Sequence, residues 1–402
     1  MKVTVMPSKA VGEVIAPPSK SMAHRALICG ALTTKSIIRN VAYSKDIEAT
    51  LRCLRAMGAA VVCEDDVVTI GGLNPFSIPE GARLDCGESG STLRFLLPLC
   101  LLADRPITLC GSGRLMERPL GIYENICREQ GLSFNRGDNE IKVCGPLRAG
   151  MYTMVGDVSS QFITGMLLAL SLLVDDSQLH VCGKFESESY VNLTTSAQKA
   201  FGVRVERAGN TYFVKGGQAY TASEYSVEGD CSNAAFLDAF NMLDGDVKVS
   251  GLSGETPQGD WVYRRFYEQL HGENRHFDLS DCPDLGPVMF ALAAALGGAT
   301  FTGTARLRMK ESDRVAAMVE ELAKFGVTAT VEDNAVEIHN AVLRTPACEL
   351  CGHNDHRIVM SLSLLCSVVG GVINGVEAVA KSYPDYFSVI RSLGIEVNYH
   401  DI

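Results

Sequence analysis

The chain has 402 residues, long for one core and typical of two domains, and its 47% hydrophobic content is enough to bury both. Lys and Arg total 36 against 47 Asp and Glu, a net charge of −11, which disfavours nucleic acid or an anionic membrane as partner. An anionic ligand of such a chain is expected to be small and to meet cations gathered locally.

The first ten residues, Met1 to Ala10, carry no apolar core of signal-peptide type, and the longest mainly apolar run, Ile358 to Ile373, is shorter than a bilayer requires. No export or membrane segment is expected. The 14 cysteines are scattered, many inside apolar runs such as Leu97 to Leu102, and read as reduced thiols of a cytoplasmic protein.

Pro17-Pro-Ser-Lys-Ser-Met-Ala-His-Arg25 opens the first strong helix, expected from about Ser21 to Leu32. Two prolines forbid helix before it, Ser19 or Ser21 can cap its amides, and Lys20 and Arg25 add charge to the positive end of the dipole. A helix start of this kind suits an oxyanion such as phosphate.

From there a pattern recurs: amphipathic helix, then Leu, Phe, Met, Gln or His, then glycine, then a β-rich segment. The glycines are Gly58, Gly131, Gly202, Gly272, Gly326 and Gly394, which fall 73, 71, 70, 54 and 68 residues apart. Each suits a helix C-cap at positive φ, and alternating hairpins follow most of them, such as Ala59 to Ile70 and Val327 to Ile338. A second, more apolar helix belongs to each unit and begins near Ser21, Ser91, Ser160, Ser232, Pro283 and Asp355.

Six units of strand, helix, strand, helix and hairpin result, an α/β fold with three βαβαββ units in each of two domains. The last unit stops after one strand, Ile395 to Tyr399, so the N-terminal strand Met1 to Met6 is expected to complete its sheet. Residues 1–16 with 228–402 then form one domain and 17–227 the other, with crossings near 17–20 and 224–229. The buried helices are expected to aim their N-termini at a cleft between the domains.

The chemistry-bearing residues fall in the loops that start these helices. Lys20 and Arg25, Arg94 after Gly90-Ser-Thr, Arg118, Lys310 and Arg314, Arg357 and Lys381 are cations at equivalent positions. Lys310-Glu-Ser-Asp-Arg314 sets Glu311 among charges that can tune a proton donor. Asp284 is stiffened by Pro283 and Pro287 at the entry to a buried helix, and Asn354-Asp-His-Arg357 repeats that design. Ser159-Ser-Gln161 offers hydroxyls and an amide at another helix start. Cys348-Glu-Leu-Cys351 with His353 and His356 has the residue types of a metal site but not the spacing of a zinc finger, and no metal is expected. Walker and dinucleotide glycine motifs are absent from the sequence.

Pro18 to Arg25, Gly90-Ser-Thr-Leu-Arg94, Glu117-Arg-Pro119, Val158 to Phe162, Pro283-Asp284, Lys310 to Arg314, Asn354 to Arg357 and Lys381 to Phe387 together give a chain that resembles the EPSP synthase family of enolpyruvyl transferases over essentially its whole length. The resemblance implies transfer of the enolpyruvyl group of phosphoenolpyruvate to the 5-hydroxyl of shikimate 3-phosphate, with release of phosphate and with no metal or organic cofactor; a monomer is expected. It implies that Ser21, Arg25, Ser159, Ser160, Gln161, Ser187, Tyr190, Asp284 and Lys310 contact shikimate 3-phosphate. Gly90, Arg118, Gln161, Arg314, Arg357 and Lys381 would meet phosphoenolpyruvate, Lys20 would serve both substrates, and Arg94 matches the family motif. Lys20, Asp284 and Glu311 would be catalytic.

Phe95 stands where a proline is common in that family, and Arg306 where an asparagine occurs. A sister enzyme acting on UDP-N-acetylglucosamine shares the fold, but typically carries Lys-Asn in place of Lys20-Ser21 and a catalytic cysteine loop not found near Arg114 to Pro119. A silent anion-binding protein on the same fold is the other alternative, against which stand intact Lys20, Asp284, Glu311 and Lys381.

Overall fold

Polar residues that cannot extend a helix mark where the buried helices begin. In the computed structural model, which describes residues 1–400, the six most apolar helices are Lys20–Ala31, Gly90–Cys100, Ser160–Leu170, Cys231–Asp238, Gly286–Leu296 and His356–Val369. Side chains of Ser89, Ser159, Asp230 and Asp355 accept from amides of the first turn. Ser19 occupies the cap position at Lys20–Ala31 but its hydroxyl makes no capping bond. Helix Ser160–Leu170 is buried at every position except Gln161, so apolar burial fixes the helix and leaves that amide to function.

The chain divides into two compact units, Met1–Pro17 with the chain from Gly229 onward, and Pro18–Glu228. Each has its own hydrophobic core. Among the described residues, sheets of four strands recur with one connectivity. Arg83–Asp85, Ile107–Cys110, Glu140–Cys144 and Ser133–Arg136 lie side by side in that order, the first pair parallel and the rest antiparallel. The same order holds for Met151–Val155, Ser177–Cys182, Thr211–Val214 and Val205–Ala208. It holds again for His276–Asp278, Ala299–Thr302, Ala335–Ile338 and Ala329–Val331.

The N-terminal strand Lys2–Val5 runs antiparallel between Gly371–Asn374 and Val397–His400, so it completes the last sheet as its sequence position suggests. Two features differ from six equal repeats. The first unit takes its opening strand from the far end of its domain, Glu224–Ser226, which pairs parallel with Ser36–Arg39. The fourth is a two-stranded sheet, Val11–Ile15 parallel to Asp246–Ser250, with no hairpin.

The reason lies at Gly272. Gly58, Gly131, Gly202, Gly326 and Gly394 all have positive φ, but Gly272 does not. The polar segment His271-Gly-Glu-Asn-Arg275 holds no alternating apolar stretch and passes directly into the next sheet at His276. The interval of 54 residues was the mark of the missing hairpin.

In Pro18–Glu228, Pro98 sits inside helix Gly90–Cys100. Lacking an N–H, it leaves the Arg94 carbonyl without its helical donor. The buried Tyr123 hydroxyl donates to that carbonyl at 2.7 Å and to the Phe162 carbonyl at 3.1 Å. A Cβ on Gly165 would come within 2.3 Å of the same carbonyl, so this glycine permits the close crossing that brings Gly90 and Gln161 together.

Candidate active site

Each unit gathers functional groups of its own. In Pro18–Glu228, Lys20 Nζ donates to Asp46 Oδ2 at 2.8 Å, both largely shielded from water. Asp46 was not singled out by the sequence: an acidic residue in the first turn of a capped helix is usually solvated, and only its burial reveals a partner for Lys20. Thr92, at the start of the next buried helix, reaches the Asp46 carbonyl at 3.5 Å and Thr50 Oγ1 at 2.7 Å.

Arg25 is buried and fully engaged. Its Nη1 donates to the Ser21 carbonyl at 2.6 Å, Nη2 to the Tyr190 carbonyl at 2.8 Å and Nε to Thr194 at 2.8 Å, and its guanidinium lies over the Phe95 ring at 4.9 Å. Three expected site residues, Ser21, Arg25 and Tyr190, thus meet. Phe95, the departure from the family pattern, stacks on the middle one. Burial lowers the Arg25 pKa to about 10.

Gly90, Arg94, Arg118 and Gln161 form a second cluster in this unit. Arg94 Nη1 donates to Gln161 Oε1 at 2.7 Å, and Gln161 Nε2 to Ser91 Oγ at 3.0 Å. A Cβ on Gly90 would lie 2.7 Å from Arg118 Nη1, 3.4 Å from Arg94 Nη1 and 3.5 Å from Gln161 Oε1, so glycine is needed for these groups to crowd the helix start. Arg118 Nε is buried and has no hydrogen-bond partner among the described residues. Ser159 Oγ caps at Gln161 N, 3.3 Å, and Ser160 is buried beside it. Ser187 is buried in the left-handed region, φ +53°, where its carbonyl accepts the Tyr190 amide.

The other unit centres on Asp284. Its Oδ1 accepts Lys310 Nζ at 3.2 Å and Arg314 Nη1 at 2.9 Å, and its Oδ2 accepts Arg357 Nη2 at 3.1 Å. Arg314, fully buried, also donates to Glu311 at 2.8 Å and to Asp355 at 2.8 Å. Arg357 Nη2 donates to Ser232 Oγ at 2.8 Å, and Lys381 Nζ to the Asn354 carbonyl at 2.7 Å.

Burial alone would raise the Asp284 pKa, but Arg357, Lys310 and Arg314 outweigh it and hold this carboxylate well below its usual range. Burial lowers Lys310, with Asp284 offsetting part of that effect. Burial would lower Arg314 too, yet Asp355, Glu311 and Asp284 raise it instead. All five expected residues of this unit other than Lys381 therefore share one network. Ser232 and Asp355 extend it, and Asp355 was legible only as a helix cap.

The Cys348, Cys351, His353 and His356 set does not assemble. Among the described residues, the group whose potential ligand atoms lie within 4.8 Å of one another is Glu320, Glu321 and His353. Lys324 Nζ already bonds both Glu321 oxygens, at 2.8 and 2.9 Å. His356 is buried at a helix start instead.

Ammonium and guanidinium groups at the first turns of buried helices, with buried carboxylates threaded among them, define an enzyme that handles small anionic substrates. The chain belongs to the EPSP synthase family: the family model described as EPSP synthase (3-phosphoshikimate 1-carboxyvinyltransferase) matches residues 5–390. A relative from Clostridium botulinum (strain Alaska E43 / Type E3), named 3-phosphoshikimate 1-carboxyvinyltransferase, is 35% identical over 99% of this chain and 98% of its own length. One of the same name from Clostridium acetobutylicum is 36% identical over 98% of each. An EPSP synthase structure from Acinetobacter baumannii superposes with a TM-score of 0.79 at 23% identity, covering 99% of this chain and 100% of the other, which shows the fold.

Proposed function

We propose that this chain transfers the enolpyruvyl group of phosphoenolpyruvate to the 5-hydroxyl of shikimate 3-phosphate, releasing phosphate, as a cytoplasmic monomer without metal or organic cofactor. Membership of the family supports the reaction. The observation that carries it is the Asp284 carboxylate gripped by Lys310, Arg314 and Arg357 with Glu311 on the far side of Arg314. Cations and two carboxylates in one buried network are what an addition to an anionic enol phosphate requires.

In this reading Ser21, Arg25, Ser159, Ser160, Gln161, Ser187, Tyr190, Asp284 and Lys310 hold shikimate 3-phosphate. Gly90, Arg118, Gln161, Arg314, Arg357 and Lys381 hold phosphoenolpyruvate, and Lys20 serves both substrates. The buried Arg118 Nε, which has no partner among the described residues, supports an anion near Gly90. Glu311 gives a proton to C3 of phosphoenolpyruvate, which makes C2 electrophilic. The 5-hydroxyl oxygen bonds to C2 and its proton passes to Asp284. Glu311, now ionised, takes a C3 proton back from the tetrahedral intermediate, which restores the double bond as the C2–O bond to phosphate breaks, and Lys20 balances the charge that leaves.

An ionised Asp284 is ready to accept a proton, but its three cations make it a weak base. A substrate carboxylate that draws Arg314 and Arg357 toward itself would loosen that hold and raise the proton affinity when the step needs it. The test is phosphate release from phosphoenolpyruvate with shikimate 3-phosphate, compared with UDP-N-acetylglucosamine. Release with the nucleotide sugar alone, or with neither, would overturn the assignment. Loss of turnover on exhaustive chelation, or sedimentation as a multimer, would overturn the metal-free and monomeric parts.

A further inference from the structure

The turn from His353 to Asp355 carries groups of this network on its backbone and is held by a contact that the reaction does not use. His353 and Asn354 are consecutive non-glycine residues in the left-handed region, φ +47° and +52°. Such residues keep that conformation only where their surroundings impose it. The Asn354 carbonyl accepts Lys381 Nζ. Asp355, next in the chain, accepts the Arg357 amide at 2.9 Å and binds Arg314.

What imposes the turn lies outside the network. His353 Nε2 is 2.9 Å from Glu321 Oε1, and Glu321 is fully buried on the helix Arg314–Lys324, which Arg314 itself opens. The second Glu321 oxygen accepts the Cys351 amide at 3.0 Å, and the Gly352 amide donates to the Asn374 carbonyl at 2.8 Å. The residues just before the turn are thus pinned to two elements, and His353 supplies the side-chain tie at the turn itself.

We propose that His353 is a positioning residue: by bonding Glu321 it clamps the turn 353–355, and through that turn it sets Lys381, Arg357 and Arg314 for the anionic substrate. This rests on the reaction assigned above and adds a residue to it that neither touches substrate nor belongs to its expected motifs. The clamp is also a titrating one. The groups facing the imidazole are Glu321, Glu320 and Lys324 from the helix, while Cys351 Sγ of its own segment accepts the His353 backbone amide at 3.3 Å. Nearby, Lys2 is engaged by Glu349 and the N-terminal ammonium by Glu377.

The bond to Glu321 raises the His353 pKa, and burial offsets only part of that rise. A folded pKa above the unfolded one means that the charge-assisted share of the clamp is complete below the ordinary histidine value and is lost as pH rises through the raised one, while the neutral imidazole still donates from Nε2.

Steady-state kinetics with phosphoenolpyruvate and shikimate 3-phosphate from pH 5.5 to 9, on the full chain and on His353→Gln and His353→Ala, test this. In the unmodified enzyme the KM for phosphoenolpyruvate should rise by up to about fivefold across the His353 titration, the charge-assisted share of one hydrogen bond, with a smaller change in kcat. Gln donates without titrating, so His353→Gln should lose that step and hold the KM of the neutral imidazole form at every pH. His353→Ala, which has no donor, should sit above both forms throughout. An NMR titration of the imidazole, which needs no substrate, should place it above the ordinary value and fall back in Glu321→Gln. An unchanged KM profile in both His353 variants, or an imidazole titrating at its ordinary value, would overturn the clamp. Absence of turnover in the unmodified enzyme, with the imidazole raised, would count against the assigned reaction instead.

Discussion

Asp284→Asn removes one charge and almost no volume, so its effect isolates what the carboxylate does among three cations. Arg314 keeps Glu311 and Asp355, whereas Lys310 and Arg357 lose the carboxylate that binds them at 3.2 and 3.1 Å. Removing one partner of a buried ion pair costs about 3–5 kcal/mol. The Asp284 side chain retains 17% of its exposure and an asparagine oxygen still accepts, which puts the expectation at the lower end, about 3 kcal/mol. For a unit of this size that corresponds to a fall in Tm of roughly 6–12 °C.

Two controls separate charge from shape. Inorganic phosphate should stabilise the variant more than the unmodified chain, because the network is left with excess positive charge; at 100 times Kd the gain is about 2.7 kcal/mol. The pH dependence has a definite sign. The folded-state pKa of Asp284 is depressed, so its contribution is fully present above the ordinary aspartate value and is lost as pH falls through the folded value. The stability gap between the two proteins should be flat from pH 8 to about pH 5 and close only below about pH 4. Denaturant melts across that range provide the measurement. A gap under about 1 kcal/mol at pH 7, or one that widens in acid, would refute the claim that the three cations depend on this carboxylate.

Glu311→Gln should lower turnover by at least about 100-fold and abolish exchange of the C3 hydrogens of phosphoenolpyruvate with solvent deuterium; exchange at the unmodified rate would remove Glu311 from the proton transfer. Its Tm should fall less than that of Asp284→Asn, since Lys310 and Arg357 keep their carboxylate, Asp284. Gly90→Ala should fold normally, because its new methyl meets the movable end of Arg118 at 2.7 Å, yet raise the KM for phosphoenolpyruvate on the order of tenfold. A normal KM in that variant would argue against substrate at this helix start. Gly165→Ala should do the opposite of a site mutation: its methyl would meet backbone at 2.3 Å and the Tyr123 hydroxyl at 2.4 Å, costing about 2–3 kcal/mol. A melting temperature equal to that of the unmodified chain would show that the helices can separate there.

The parts of the site that the sequence announces are those where a rule of local structure is broken to accommodate charge. Lys20, Asp284 and Arg357 stand at helix starts flanked by proline, glycine or capping residues, and the structure gathers them into networks. Their partners were hidden for the opposite reason. Asp46, Thr92, Ser232 and Asp355 are ordinary first-turn residues, and only three-dimensional burial separates them from solvated caps. His353 was visible only as a histidine beside cysteines, in a set whose spacing spoke against a metal site. Its positive φ, the feature that ties it to the site, depends on contacts with a helix about thirty residues earlier.

The same division explains where the repeat reading succeeds and where it needs amendment. Glycines at positive φ and alternating hairpins are local signals, and they locate five of the helix ends and the hairpins that follow four of them. Which strand opens a sheet is not local. Val11–Ile15 precedes the crossing at Pro17 and pairs with Asp246–Ser250 in the unit the chain is leaving. Glu224–Ser226 precedes the crossing at Glu228 and pairs with Ser36–Arg39 in the unit it is leaving. At both crossings the strand stays behind and the helix goes ahead, so the helix starting at Lys20 has its opening strand replaced by one more than 200 residues later in the chain. The first helix start of each unit, at Lys20 and at Cys231, thus follows directly on a crossing instead of hanging from a strand of its own sheet. The Ser19 amide donates to the Glu228 carbonyl at 2.8 Å and the Asp230 amide to the Pro17 carbonyl at 2.8 Å, so the two crossing segments are bonded to each other.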